Sequence, residues 1–206
     1  VKKKTIQFIL LSLVSLSACA QLPVFTCLNT NGPKVFAGVK ISEQGMEPDT
    51  YLMEVNSTML SSQKISLPKE LIHREVVGIF PTQGEVVLVL TQRTVEQGDN
   101  PLLYSFHPSK KEWKKVAEFK CPSFANVSVE ESALTLHCVE TNKEGVEVKT
   151  SQKTPIAGLK LKASGEQTLP LFKVEKDNVK AELVGESFEW KELKVSVNKK
   201  EKVFKP

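Results

Sequence analysis

The sequence predicts an all-β antiparallel fold behind a cleaved signal peptide. Three observations carry that expectation. Apolar and polar residues alternate with a period of two through most of the chain, the alternating runs are short, and clusters of Gly, Asn, Asp and Pro separate them about every dozen residues. Composition agrees: 206 residues, 40% apolar and 25% charged, make an ordinary globular chain that can bury a core.

The first element is a leader. Three lysines (Lys2, Lys3, Lys4) precede an apolar stretch from Ile6 to Leu16, interrupted by Gln7, Ser12 and Ser15. As a helix it would rise 1.5 Å per residue and reach only about half the thickness of a bilayer core. Those are the proportions of a secretory signal covering residues 1–18. It ends in Leu16-Ser17-Ala18-Cys19. This tetrapeptide resembles the bacterial lipobox, an aliphatic residue and two small ones before a cysteine. The resemblance covers residues 1–19 only. It implies cleavage before Cys19, a diacylglycerol on its thiol and acylation of the new amine with a palmitate-like chain. Ala20 and Gln21 follow, with no Asp at the second position; in enterobacterial lipoproteins that pattern implies the outer membrane. Ala18-Cys19-Ala20 also fits an A-x-A cleavage site, which would release a soluble periplasmic protein starting at Gln21. Residues 19–23 form a short tether, so a lipidated domain would sit close to the bilayer.

Strands follow in order. A first one starts at Val24, and β-branched or aromatic runs occupy residues 35–41, 51–55, 75–80, 85–91, 102–106, 113–119, 126–129 and 133–139. Residues 146–149, 159–162, 171–174, 179–183 and 193–197 alternate more strictly, one apolar residue and then Lys, Glu or Ser. Turn signals include Asn31-Gly32-Pro33, Lys176-Asp177-Asn178 and Asn198-Lys199-Lys200. One short helix is expected over residues 66–73, with Ser66 as its cap and Pro68 in its first turn, or else a loop.

A sandwich, a barrel and a propeller-like array of meanders all fit this pattern. Residues 103–119 carry an aromatic strand, a Pro-containing turn and then Trp113 in a second strand. This hairpin resembles the inner hairpin of a kelch-type propeller blade, without the kelch double glycine. Residues 24–206 are read as one domain, with a possible subregion from about residue 157, where Lys and Glu become more frequent.

The cysteines are Cys19, Cys27, Cys121 and Cys138. With Cys19 lipidated, an oxidising compartment leaves three to pair. Cys121 and Cys138 flank a strand–turn–strand and form the preferred disulfide, with Cys27 as a buried small hydrophobe. Cys27 with either of the others is the alternative. No C-x₂-C or H-x₃-H spacing suggests a metal.

Little else points to chemistry. His73, His107 and His137 share no local motif, no D-x-D loop occurs, and there is no G-x-S-x-G, S-x-x-K, H-E-x-x-H or phosphate-binding glycine loop. No catalytic residues, metal or cofactor are assigned. Loss of the leader leaves 25 basic against 24 acidic side chains, with only Arg74 and Arg93 as arginines, a poor basis for nucleic-acid binding. Lys110, Lys111, Lys114 and Lys115 surround Trp113. This cluster reads either as a contact for anionic headgroups or an acidic polymer, or as a charged hairpin tip with Trp113 packed inward. The expected function is a lipid-anchored bacterial cell-envelope module that binds a protein or polymer, or serves in an assembly, facing the periplasm or cell surface. The alternatives are an envelope hydrolase with a loop-assembled site and a soluble periplasmic binding protein.

Overall fold

The computed structural model describes residues 23–42, 48–93, 100–121, 123–162, 164–186 and 189–206. The signal stretch, Cys19 and most of the tether lie outside the described residues.

The chain is all-β. Strands β1 (Val24–Asn31), β2 (Lys34–Ile41), β3 (Asp49–Asn56) and β4 (Ser61–Ser66) form an antiparallel meander. A second meander follows with β5 (Glu75–Pro81), β6 (Val87–Gln92), β7 (Leu102–His107) and β8 (Glu112–Glu118). The third group is β9 (Phe124–Glu130), β10 (Ala133–Thr141), β11 (Glu147–Pro155) and β12 (Gly165–Gln167), where β12 returns to the free side of β9. The fourth is β13 (Lys173–Lys176), β14 (Val179–Glu186), β15 (Glu189–Val197) and β16 (Lys200–Phe204). β15 meets β1 with Phe25 opposite Trp190, which joins the first and last groups into one eight-stranded sheet.

Three apolar cores separate these groups. Phe25, Val35, Val55, Leu193 and Val195 lie between the fourth group and the first. Cys27, Phe36, Leu52, Val76, Val89 and Phe106 lie between the first and the second. Phe80, Leu90, Val127, Leu134 and Cys138 lie between the second and the third. Strands in the inner layers are therefore apolar on both faces, as their near-continuous runs suggest. Meanders stacked face to face make the propeller-like array the best description of the three architectures.

The tight turns fall where their residues allow positive φ. Asp177 and Asn178 sit at φ 51° and 64° between β13 and β14, the pattern of a two-residue hairpin. Gly38 serves a different need. A Cβ there would lie 2.4 Å from Thr26 Oγ1 and 2.8 Å from Val76 Cβ, so the bare backbone lets β2 pass close to β5.

Several expectations need correction. Residues 66–73 hold only a 3-10 turn, Lys69–Leu71; Ser66 ends β4, and Pro68 precedes the turn without a side-chain cap. Residues 159–162 are not a strand, because their one sheet contact is the isolated bridge of Leu161 to Thr82. The mostly polar segments 61–66, 165–167 and 200–204 do form strands, held chiefly by their neighbours' backbones, with Ile65 and Phe204 reaching the cores. Strands beyond residue 157 pair with earlier ones, β12 with β9 and β15 with β1. The hairpin that resembles a kelch blade is β7–β8, at the edge of its sheet far from β1, since β5 is the strand packed on β1.

Candidate functional site

The β7–β8 hairpin divides the basic cluster between two grooves. Trp113 and Lys111 face the first sheet, while Glu112, Lys114 and Lys115 border a groove toward the third. Lys110 is exposed at the hairpin tip. Trp113 is half-buried and stacks on its cross-strand partner Phe106, ring centroids 4.5 Å apart at 31°. The indole is thus packed inward along one face and open along the other.

The groove beneath Trp113 has a volume of about 320 Å³ and runs between β8 and β4. Phe106, Pro108, Ile65 and Gln63 line it, together with Glu54 of β3. Glu54 shares its face with Leu52 and lies opposite Gln63 in register. It is only 5% exposed. Lys34 Nζ pairs with its Oε1 at 3.0 Å, whereas Oε2 is buried with no hydrogen-bond partner among the described residues. A buried carboxylate oxygen without a donor is costly, which makes Glu54 the most exceptional polar group of the groove. Sequence reasoning missed it. The available signal was a lone Glu inside the otherwise apolar run at residues 51–55.

The second groove, about 370 Å³, is lined by Val116, Ile156 and Leu159 with His107 and Glu112 at its side. Lys115 Nζ lies 2.8 Å from Glu118 Oε2, and this hydrogen bond holds the Glu118 carboxyl below the usual range. Nearby, Tyr104 donates to Glu70 Oε1 at 2.8 Å. Burial, then the Glu70 hydrogen bond, push the Tyr104 hydroxyl up to about 12.

The histidines remain apart. His73 Nδ1 is 3.0 Å from the Pro48 carbonyl, and His107 lies beside Glu85 at 3.9 Å. His137 sits between two serines, with Ser128 Oγ 2.6 Å from Nε2 and Ser151 Oγ 3.0 Å from Nδ1. These three lie on adjacent strands β9, β10 and β11 of a paired sheet, outside both grooves. Among the described residues, no group of three or more His, Cys, Asp or Glu side chains is arranged to hold a metal. Cys121 and Cys138 lie in disulfide-compatible geometry, Cα atoms 5.5 Å apart, and Cys27 is buried as a free thiol.

No family model matches the chain, and no curated protein does. Among solved structures it is similar to the acylaminoacyl peptidase of Pyrococcus horikoshii, at 11% identity and a TM-score of 0.48, over 88% of this chain and 32% of that one. It is also similar to the β-propeller domain of the Trilobed protease from Pyrococcus furiosus, at 12% identity and a TM-score of 0.44, over 89% and 58% of the two chains. The chain spans about a third of the length of the peptidase.

Proposed function

We propose that this chain is a lipid-anchored bacterial cell-envelope protein that acts by binding, and that its contact site is the groove between β4 and β8. The tetrapeptide ending in Cys19 supports the anchor. The observation that carries the binding role is the Glu54 Oε2 atom, buried beside Trp113 with no donor of its own. A ligand that supplies a hydrogen bond there and apolar surface to the indole removes a standing desolvation penalty. Lys111 at the rim adds a positive charge that steers an acidic or polar partner.

The test is site-specific photocrosslinking in intact bacteria, with the photoreactive residue at position 111 and, as control, at exposed Val148. Adducts at position 111 that vanish with Trp113→Ala support the reading. Equal labelling at both positions contradicts it.

A second reading is an envelope hydrolase, favoured by the short contact of Ser128 with His137 and the Ser151 hydrogen bond behind it. Hydrolysis of p-nitrophenyl acetate that falls about a hundredfold or more in Ser128→Ala would support it.

A further inference from the structure

The groove under Trp113 rests on an open sheet edge. Among the described residues, β4 ends the eight-stranded order and pairs with β3 on one side only. Gln63, Lys64, Ile65 and Ser66 all line the groove. Side chains of successive strand residues leave on opposite faces. Four consecutive residues can border one groove only when it runs along the backbone edge. Lys64 shows the alternation: its ammonium lies 4.2 Å from the Tyr51 ring, and Tyr51 belongs to the core on the opposite face from Leu52 and Glu54.

An edge of unpaired N–H and C=O groups is a template for a further strand. The groove's chemistry narrows what that strand carries. Lys34 already neutralises Glu54 through Oε1, and Lys111 keeps the rim positive. A second cation is therefore disfavoured at Oε2, and a neutral amide on a longer side chain fits, because Glu54 lies on β3, roughly 9–10 Å from a strand added to β4. Trp113 and Phe106 offer an apolar wall. Residues two apart on a strand share a face, so donor and apolar side chain belong at positions i and i+2.

We infer that the groove binds an extended peptide, which adds to the edge of β4. Gln or Asn reaches past Gln63 toward Glu54, and an apolar residue two positions away packs on Trp113. This rests on the groove being the contact site proposed above.

The experiment selects phage-displayed random peptides on the full chain, then titrates the enriched peptides in synthetic form. The expected consensus alternates as stated, and Trp113→Ala weakens binding about tenfold or more. Saturating peptide slows amide hydrogen exchange in residues 61–66 by about tenfold or more, because edge N–H groups become bonded. Proline at positions 64 and 65, one at a time, adds a second readout. Neighbouring N–H groups point to opposite sides, so one substitution removes an open-edge donor while leaving the β3–β4 ladder intact. That variant keeps its circular dichroism spectrum and loses the peptide. Trp113-dependent peptide binding that leaves exchange in residues 61–66 unchanged overturns strand addition. If peptides fail but soluble peptidoglycan fragments bind in a Trp113-dependent manner, the peptide is wrong and the groove's role stands. If neither binds through Trp113, both fall.

Discussion

Asn29 donates from Nδ2 to the Ile79 carbonyl at 2.6 Å, which ties β1 to β5 across two separate sheets. Thr26 Oγ1 does the same to the Val76 carbonyl at 2.7 Å. Among the described residues, β5 ends its sheet and has β6 on one side only. Side chains of β1 thus serve backbone groups that no ladder reaches. Polar residues are buried in an apolar layer for this reason, and their pairing fixes how the first two meanders meet.

Asn29→Ala leaves the Ile79 carbonyl buried and unpaired. The expected loss is about 1–3 kcal/mol of stability. Thr26→Val keeps the shape and loses the hydroxyl, with an expected loss of about 1–2 kcal/mol. Urea denaturation of each variant checks both. A change in unfolding free energy below a few tenths of a kcal/mol for Asn29→Ala would show that the seam does not matter.

Two glycines separate steric from conformational strain. Gly38→Ala drives a methyl against Thr26 and Val76, and overpacking of this kind is expected to destabilise by about 1–3 kcal/mol. Gly32→Ala meets nothing within 4 Å, yet holds φ at +61°, so its cost is about 1 kcal/mol and purely backbone. Thermal melts of the pair should rank Gly38→Ala as the more harmful.

Cys27 makes a pH prediction. Burial pushes its thiol up to about 12 from an ordinary value of 9.0. The folded state favours the protonated form, so this contribution is complete below pH 9 and is lost as pH rises toward 12. Stability should fall over that window, and less steeply in Cys27→Ala. Ellman's reagent should leave Cys27 unmodified in the folded chain at pH 8 and modify it in denaturant.

The cross-link of Cys121 to Cys138 closes a 17-residue separation. In the chain-entropy model such a loop is worth about 3 kcal/mol. Replacing both cysteines by Ala, or reducing the wild type, should lower the unfolding free energy by about that amount. An unchanged denaturation midpoint after reduction would contradict the cross-link.

How far the sequence could be read depended on where burial shows in the residue type. Strands such as β6 and β10 announce themselves because packing on both faces demands β-branched and apolar residues. β4 and β16 are hard to see by that rule, since their sequences, SSQKIS and KEKVF, expose most positions and send only Ile65 and Phe204 toward a core. Trp113 and its lysines were legible as a cluster, but only the three-dimensional arrangement divides them between two grooves. Glu54 was visible as an odd charge in an apolar run. Its missing hydrogen-bond partner depends on the stacking of two sheets, which no local pattern encodes.

Whether the domain is held at a membrane by its own N-terminus is decided by intact-mass spectrometry of the chain extracted from bacterial envelopes. The expected species begins at Cys19 and carries a diacylglyceryl group and a further acyl chain. An unadorned chain beginning at Gln21 would contradict it.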